Sequence, residues 1–364
     1  MVIVHYAGIT NNNASGVCVV VPQIINSMSI FEDVALYNYA NETVNIKAPA
    51  IQIDNQIYSD DYHLFPIPFS KPDIVIFHSP FGIPKMKNLI SILINDNIPY
   101  VIVPHGCFSK AAMKKKRLKK WLAIKLFFNK ALKHAAAIQY LCKNEMEDSI
   151  FKLSHIIVSN GIDIPNQIPR EYTTIKQLTF IGRKDLYHKG IDVLLEGCAL
   201  IKDELAQSDI KIVLYGPGSN EQESEINKII TENNLTDIVK SRPGVFGIEK
   251  TDVLKKTDIF LLTSRYEGQP IAVLEAMAYS LPVLITPGTG FSEEVKAQNC
   301  GKVVGFSAQD IANGILFMIN DKAFLKKASQ NAYSYVSKEY CWENVTKRAL
   351  AEYKGVCYEK DSRI

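Results

Sequence analysis

Cysteine is present in this chain of 364 residues, but it is never clustered. The seven cysteines are scattered between Cys18 and Cys357, and no two of them form a C-x-x-C pair. An odd number of dispersed cysteines is typical of reduced thiols, and it argues against both a disulfide framework and a cysteine zinc site. We therefore expect a cytoplasmic protein whose thiols stay free.

Long apolar runs are also missing. No stretch approaches the ~20 consecutive apolar residues that a membrane-spanning helix needs. The opening segment MVIVHYAGITNNN has neither the basic region nor the apolar region of a signal peptide. We therefore expect a soluble protein, with peripheral binding to the inner face of the cytoplasmic membrane as the only membrane contact open to it.

Strong net charge and metal-binding motifs are absent as well. The net charge of +3 is too small to predict nucleic-acid binding from the total alone, and we expect no nucleic-acid partner. The chain contains no D-x-D triplet and no H-E-x-x-H motif. The sequence therefore gives no signal for a carboxylate-held Mg²⁺ or for a zinc site, and we expect no metal and no cofactor.

What the chain does contain is two series of short β-branched runs with helical patterns between them. The first series is Val2–Ala7, Pro72–Ser79, Pro99–His105, Ala136–Cys142 and His155–Gly161. The second series is Ile175–Arg183, Ile210–Gly218, Asp237–Gly244, Asp258–Ser264 and Leu281–Gly288. Continuous apolar strands separated by helices are typical of parallel sheets covered on both faces.

A polar, proline-containing segment, Asp163–Lys176, separates the two series and is typical of a linker. We therefore predict an α/β protein with two Rossmann-like domains, residues 1–165 and 166–340, that face each other across a cleft. The remaining residues, 341–364, predict a helix. Its apolar stripe consists of Trp342, Val345, Ala349 and Tyr353.

The segment SRYEGQPIAVLEA places two carboxylates, Glu267 and Glu275, around a predicted turn from a strand into a helix. Pro270 suits the first helical turn, and the free N–H groups between Gly268 and Ile271 favour an anion. A carboxylate repels phosphate but accepts hydrogen bonds from vicinal hydroxyls. Two carboxylates beside one anion site therefore indicate two sugars joined through phosphates. The alternative is an exposed loop followed by a solvated helix face.

The segment FIGRKDLYHKGID contributes two cations, Arg183 and Lys189, after a strand that ends at Gly182. A guanidinium and an ammonium at this place are suited to a diphosphate, although a solvated basic loop has the same composition. In the absence of a metal signal, the pair would neutralise a departing diphosphate. His105 also ends a predicted strand, where it is either an active-site residue or a structural histidine.

Of two other glycine-containing segments, 8–17 and 215–220, the first resembles a phosphate-binding loop that enters a helix. Neither matches the G-x-G-x-x-G pattern, which disfavours an NAD enzyme. A third segment, 109–134, is rich in Lys and Arg, contains no acid and carries Trp and Phe. This composition predicts either a helix that binds an anionic membrane surface or a helix that buries its aromatic residues in the first domain.

Together these motifs resemble those of glycosyltransferase family 4, a family of retaining enzymes with the GT-B fold. EGQPIAVLEAMA is similar to the family's E-x7-E motif, and IGRKDLYHKGID is similar to its G-R-x5-K-G segment. The shorter segments PHG, VSNGID, YGPG and TPGTGFSEEV follow in the family's order, so the resemblance covers nearly the whole chain. The two long motifs, ~80 residues apart, are specific in combination.

The resemblance implies a role for each candidate residue. Arg183 and Lys189 would bind the donor diphosphate, and Glu275 would accept hydrogen bonds from the ribose. Glu267 and His105 would be the catalytic pair, both beside the transferred sugar. The other implied site residues are Gly16, Gly268, Gln269, Pro270 and Ile271 near the phosphates, Val245 and Phe246 near the base, and Gly182 and Glu294, of which Glu294 has a less defined role.

Two positions depart from the family's pattern. The family often has a glycine pair in the first loop, where this chain has Ser15 before Gly16. The residue after Glu267 and Gly268 is often aromatic or aliphatic in the family, whereas Gln269 is polar. The contact of the first loop with the donor is therefore in doubt, and the preference for the donor sugar is expected to differ at Gln269.

The function implied by the resemblance is transfer of a sugar, with retention, from a nucleotide diphosphate sugar to a glycan or a lipid-linked saccharide. The donor base would be uracil or guanine, and the product would be a cell-surface polysaccharide or glycolipid. Residues 1–165 would bind the acceptor, residues 166–340 the donor, and the helix of 341–364 would cross back to the first domain. The alternatives are another GT-B enzyme, such as a nucleotide-sugar epimerase or a phosphorylase, and a non-catalytic nucleotide-sugar-binding subunit.

Overall fold

The protein divides into two compact units in a computed structural model. The first unit consists of Met1–Gly161 together with Trp342–Ile364, and the second is Ile162–Cys341. The sequence placed these boundaries at 165/166 and 340/341. The structure describes residues 1–12, 15–58, 61–79, 81, 86–110, 113, 124 and 128–361.

The first domain is built on a sheet of seven parallel strands. These are β1 (Val2–Ala7), β2 (Asp33–Asn38), β3 (Ile51–Ile53), β4 (Ile74–His78), β5 (Tyr100–Val103), β6 (Ala137–Tyr140) and β7 (His155–Ile157). Their spatial order is β3-β2-β1-β4-β5-β6-β7. The helices are α1 (Gly16–Met28), α2 (Met86–Asn95), α3 (Asn129–His134) and α4 (Lys143–Asp148). A short 3₁₀ turn covers Tyr62–Leu64.

The second domain is built on six parallel strands. These are β8 (Gln177–Ile181), β9 (Lys211–Tyr215), β10 (Val239–Arg242), β11 (Ile259–Leu262), β12 (Val283–Ile285) and β13 (Gly301–Val303), in the order β10-β9-β8-β11-β12-β13. The helices are α5 (Ile191–Leu200), α6 (Lys202–Gln207), α7 (Asn220–Glu232), α8 (Gly247–Lys256), α9 (Ile271–Ala278), α10 (Ser292–Ala297), α11 (Ala308–Asn320) and α12 (Lys322–Glu339). A 3₁₀ turn covers Pro287–Thr289.

Both sheets have the doubly wound order of a Rossmann-like domain. The order of the strands reverses between β1 and β4 in the first sheet and between β8 and β11 in the second. Every residue of β4 and of β11 is buried, as expected for strands with helices on both faces. Ligands of such sheets bind beyond the carboxyl ends of the strands at the point of reversal.

Three strands were not predicted from the sequence. β3 and β13 are three residues long, and their sequences, IQI and GKV, are not continuous apolar runs. β2 contains the apolar run VALY, which the prediction missed. Most of the predicted basic helix, 109–134, lies outside the described residues, which show only α3 at its end.

The last helix, α13 (Trp342–Asp361), belongs to the first domain. Val345, Ala349 and Tyr353 of its apolar stripe are buried. The Tyr353 hydroxyl donates to Oε1 of Gln139 in β6 at 2.6 Å, and Thr346 forms a 2.6 Å hydroxyl–hydroxyl bond with Ser27 of α1. No helix in the described ranges is long and apolar enough to cross a bilayer.

Candidate functional site

Two loops of the second domain meet where β8 and β11 end. One loop, 182–190, leads from β8 into α5, and the other, 263–270, leads from β11 into α9. Because β8 and β11 are neighbours in a parallel sheet, both loops leave its carboxyl edge, at the point where the strand order reverses. These loops carry most of the residues that the sequence analysis selected.

Lys189 and Glu267 are in direct contact between these loops. The Lys189 ammonium is buried and forms an ion pair with Oε2 of Glu267. The Ser264 hydroxyl donates to the same carboxylate oxygen at 3.2 Å, and the Glu267 amide N–H donates to the Gly288 carbonyl at 2.6 Å. The structure therefore places the residue predicted to bind phosphate beside the residue predicted to bind the sugar.

A second layer of contacts holds the two loops together. The Arg265 guanidinium donates two hydrogen bonds to the Asp192 carboxylate, at 2.8 and 2.9 Å, which is the bidentate arrangement that arginine favours. The rings of His188 and Tyr266 stack with centroids 4.1 Å apart. Burial, followed by the charge of Lys189, lowers the pKa of His188. The sequence analysis did not identify these contacts, because no motif joins the two segments.

Close backbone packing fixes the geometry of both loops at two glycines. Gly190, which precedes α5, has φ +63°, and a Cβ there would lie 2.0 Å from the Thr263 carbonyl oxygen. Gly290 has φ +65°, and a Cβ there would lie 2.2 Å from the Gly268 carbonyl oxygen. Only glycine combines a left-handed backbone with such an approach, so these positions set how closely the loops pack.

Glu275 has a cationic partner that the sequence analysis missed. Lys250 of α8 forms an ion pair with Oε2 of Glu275 in α9, and both side chains are about a quarter exposed. The predicted base-binding residues, Val245 and Phe246, immediately precede α8. Val245 is half-buried, whereas the Phe246 ring is exposed. Glu275 is the residue predicted to bind the ribose. The Lys250–Glu275 pair therefore connects it to α8, the helix that follows the predicted base-binding residues.

The two adjacent cations after Gly182 have different surroundings. Lys184 is only 1% exposed, and its ammonium donates at 2.7 Å to the Glu223 carboxylate, the Ser241 hydroxyl and the Arg242 carbonyl. Its three hydrogens are thus used inside the domain. The Arg183 side chain is exposed. Arg183 is therefore the cation of this pair that a ligand can reach.

The start of α9 differs from the prediction by one position. Pro270 precedes the helix, and its carbonyl accepts from the amides of Val273 and Leu274. The Ile271 N–H donates to the Gln269 carbonyl at 3.1 Å, so it is not free for an anion as we expected. A Cβ at Gly268 would meet no described atom within 4 Å, which leaves the backbone of this residue accessible.

Glu294 lies apart from these pairs. It belongs to α10 and is half-buried, and burial raises the pKa of its carboxyl. No contact in the described structure joins it to Glu267 or to Glu275. Over the same residues, no group of three or more His, Cys, Asp or Glu side chains has the arrangement of a metal site.

The remaining candidates belong to the first domain. His105 follows β5 with a left-handed backbone, φ +47°, and its Nε2 lies 2.9 Å from Nδ1 of His78. The next amide, Gly106 N–H, donates to the buried Glu145 carboxylate at 2.6 Å. Gly16 begins α1, and a Cβ there would meet no described atom within 4 Å. The predicted loop before it includes residues 13 and 14, which lie outside the described chain.

Comparison with known proteins gives a family match for the second domain. A model described as glycosyl transferases group 1 matches residues 164–335. This range contains both loops and both ion pairs, and it supports the superfamily that the motifs indicated.

Several curated proteins are similar in sequence. An uncharacterized glycosyltransferase of Methanocaldococcus jannaschii, MJ1178, is 26% identical over 277 residues, which is 74% of this chain and 72% of that protein. Another from the same organism, MJ1607, is 29% identical over 49% of this chain and 45% of its own length. A poly(ribitol-phosphate) alpha-N-acetylglucosaminyltransferase of Staphylococcus aureus is 26% identical over 53% of this chain and 38% of its own length. The chain thus spans less than half the length of two of these three relatives.

Solved structures match the fold over almost the whole chain. HepE of Anabaena, in complex with UDP and glucose, has a TM-score of 0.70 at 16% identity and covers 98% of this chain and 100% of its own. WaaG, a glycosyltransferase of lipopolysaccharide biosynthesis, has a TM-score of 0.68 at 16% identity, with 96% and 98% covered. The predicted fold class, two Rossmann-like α/β domains of the GT-B type, is confirmed.

Proposed function

We propose that this protein is a glycosyltransferase of the GT-B type that transfers a sugar from a nucleotide diphosphate sugar to a glycan or a lipid-linked saccharide. The observation that carries the proposal is the pairing of Lys189 with Glu267 and of Lys250 with Glu275 in the domain that matches the group 1 model. Two carboxylates and two cations beyond the sheet edge suit a ligand that has both hydroxyls and phosphates.

Arg183 and Lys189 would hold the diphosphate of the donor. The Lys189 ammonium has three hydrogens, so it can keep its bond to Glu267 and still donate to a phosphate oxygen. Glu267 would then accept from hydroxyls of the transferred sugar, beside the phosphates, and Glu275 would accept from the ribose. Gly268 and Gln269 lie next to Glu267 in the chain, where their backbone would approach the sugar and the phosphates.

The reaction breaks the bond between the anomeric carbon and the diphosphate, forms a bond to an acceptor oxygen and moves the acceptor proton to the leaving phosphate. Arg183 and Lys189 stabilise the negative charge that develops on the leaving group. We infer that the configuration is retained by attack from the side of the leaving group, as in family 4. In this proposal Glu267 positions the sugar and is not a covalent nucleophile, and Lys189 and Ser264 hold its carboxylate through Oε2.

We further propose that transfer needs no metal and that the donor base is uracil or guanine. The cations of the site supply the charge that a metal would otherwise supply, and no D-x-D triplet is present. The structure of HepE with UDP and glucose supports a uridine donor for a chain with this fold. The first domain, with His105, would provide the acceptor side, in cell-surface polysaccharide or glycolipid synthesis.

A membrane-bound acceptor would be within reach if the basic segment 109–134 binds anionic lipid. Sedimentation with phosphatidylglycerol-containing vesicles tests this part separately. Binding at low salt that is lost at high salt is expected, because exposed charges are screened by salt. Absence of binding at low salt would remove the membrane from the proposal and leave the transfer reaction untouched.

The function itself is tested by incubating the purified protein with UDP-, GDP- and ADP-sugars and measuring the nucleoside diphosphate released. Release from one class of donor is expected, unchanged by a chelator and lost in Arg183→Ala. Lys256→Ala, which changes an exposed lysine at the end of α8, is the matched control. No release and no binding of any donor by the folded wild-type protein would reject the proposal.

A further inference from the structure

Three histidines of the first domain form a continuous chain of ring contacts. His5 lies in β1, His78 ends β4, and His105 follows β5. His5 Nδ1 is 2.9 Å from His78 Nε2, and His78 Nδ1 is 2.9 Å from His105 Nε2. Each pair of rings is stacked, with centroids 5.2 Å apart.

The register of the parallel sheet produces this chain. His5 is aligned with Ile76, and His78 is aligned with Val103. Each following histidine therefore stands one strand over and two residues further toward the carboxyl edge. Because side chains on a strand alternate with a period of two, this step keeps the rings of His5 and His78 on the same face. His105 lies beyond β5, and its ring stacks on that of His78.

The hydrogens of the three rings are coupled. A neutral imidazole carries one N–H, so His78, bonded on both sides, must donate to one neighbour and accept from the other. If His78 carries its hydrogen on Nδ1, His105 accepts at Nε2 and has its own hydrogen on Nδ1. If His78 carries it on Nε2, His105 donates from Nε2 and its Nδ1 is a bare acceptor.

His5, the buried end of the row of three histidines, distinguishes these two arrangements. His5 is completely buried, and its Nε2 has no hydrogen-bond partner among the described residues. Burial lowers the pKa of His5 to about 3 and that of His105 to about 4, and it holds the pKa of His78 well below its usual value, so all three rings are neutral near pH 7. A buried N–H without a partner is rarer in folded proteins than an acceptor without one. The arrangement in which His5 Nε2 is bare is therefore favoured.

We propose that His5 and His78 are positioning residues that fix His105 as the Nδ1–H tautomer, so that His105 presents a hydrogen-bond donor at the edge of the sheet. The backbone also fixes the position of the residue, because His105 has a left-handed conformation and the adjacent Gly106 N–H donates to Glu145. Resting on the proposed function, the Nδ1–H would donate to an oxygen of the acceptor. His105 then acts as a donor and not as a base.

The tautomers are measured directly on the full-length protein labelled with ¹⁵N-histidine, using long-range ¹H–¹⁵N correlations at pH 7. Signals are assigned with single His→Gln variants. We expect His5, His78 and His105 all to show a protonated Nδ1 and a bare Nε2. A protonated Nε2 on His105, or an imidazolium at this pH, would overturn the proposal.

Two variants of His78 test the coupling. His78→Leu removes the donor to His105 Nε2, so the His105 signals are expected to change to a mixture of tautomers, with kcat lower by about tenfold or more. His78→Asn places an amide N–H near the position of Nδ1 and should restore the Nδ1–H form. Unchanged His105 signals in the Leu variant would contradict the coupling, and if that variant does not fold, the wild-type spectrum still decides.

The spectra also separate this inference from the proposed function. If the tautomers are as expected but no donor is cleaved, the glycosyltransferase proposal fails and the histidine chain stands. If sugar is transferred but His105 carries its hydrogen on Nε2, the reverse holds.

Discussion

Lys189 and Glu267 stand 78 positions apart in the chain, yet the Lys189 ammonium is bonded to the Glu267 carboxylate. The lysine ends the loop after β8, and the glutamate lies in the loop after the neighbouring strand β11. A phosphate at Lys189 and a hydroxyl at Glu267 would then be adjacent, which is the geometry of a sugar 1-phosphate unit. The pair also balances charge, so the site without ligand is not left with an isolated buried cation.

Replacing Lys189 with methionine should lower kcat/KM for the sugar nucleotide by about 100-fold or more, because one preorganised cation at the leaving diphosphate is lost. The fold should survive, because methionine is unbranched and similar in length to the lysine side chain. Glu267 is partly exposed, so water can solvate its carboxylate when the ammonium is removed. Steady-state kinetics and a urea unfolding curve measure the two effects. Lys256→Met is the matched control on an exposed surface. Full activity in Lys189→Met would contradict its role at the phosphate.

The Lys250–Glu275 pair predicts coupling in nucleotide binding. Glu275→Gln should raise the Kd for the nucleoside diphosphate by about tenfold, because a neutral amide binds ribose hydroxyls less strongly than a carboxylate does. Lys250→Met should raise it by about threefold, since Glu275 loses the partner that holds it in place. Calorimetry on both single variants and the double variant tests this. A double variant no weaker than Glu275→Gln alone is expected, whereas additive losses would show independent roles.

The sequence predicted candidate site residues best where a motif lies within one short segment. The spacing of Glu267 and Glu275 around a strand-to-helix turn was recognisable, because the turn and its helix follow local rules for glycine and proline. Ten of the strands, such as β1 and β11, lie within predicted apolar runs. The predicted strands are usually longer than the observed ones. The sequence at the end of an apolar run does not show where the hydrogen bonding to the neighbouring strand stops.

The remaining features depend on contacts between distant segments. Nothing in the local sequence of Lys250 distinguishes it from Lys255 or Lys256, and only the packing of α8 against α9 gives it a carboxylate partner. Lys184 and Arg183 are adjacent and chemically similar, but Lys184 is bonded inside the domain whereas Arg183 is exposed. Likewise, His5 and His78 became interpretable only when the strand register was known.

Replacement by alanine should destabilise the protein at one glycine near the site and leave its stability unchanged at another. Gly290→Ala should lower the free energy of unfolding by at least about 2 kcal/mol, because its φ is +65° and the new Cβ would lie 2.2 Å from a carbonyl oxygen. Gly268→Ala should leave stability within about 0.5 kcal/mol, since its Cβ would meet no described atom within 4 Å.

The same Gly268 variant should nevertheless weaken binding of the sugar nucleotide, because the backbone there is proposed to approach the ligand. Urea unfolding and donor titration on both variants measure these effects. A Gly268→Ala protein with unchanged donor affinity would argue that the ligand does not contact this residue. A Gly290→Ala protein of wild-type stability would contradict the close approach of Gly290 to the loop 263–270.

The buried histidine His5 predicts a dependence of stability on pH. Its folded-state pKa is lowered from 6.5 to about 3 by burial, so the unfolded chain takes up a proton below pH 6.5 that the folded protein does not. The contribution is therefore complete above pH 6.5 and is lost as the pH falls toward 3. Between pH 7 and pH 5 this loss amounts to about 2 kcal/mol for one histidine.

Asparagine at position 5 cannot take up this proton and places an amide near the position of Nδ1. The His5→Asn protein should therefore be less stable than the wild type at pH 7, with a difference that shrinks by about 2 kcal/mol at pH 5. The His78 ring contacts His5 directly and can also titrate, so the comparison is repeated in the His78→Asn background. Urea unfolding at pH 7, 6 and 5 gives the values. A difference that stays constant over this range would show that His5 is not held neutral by the fold.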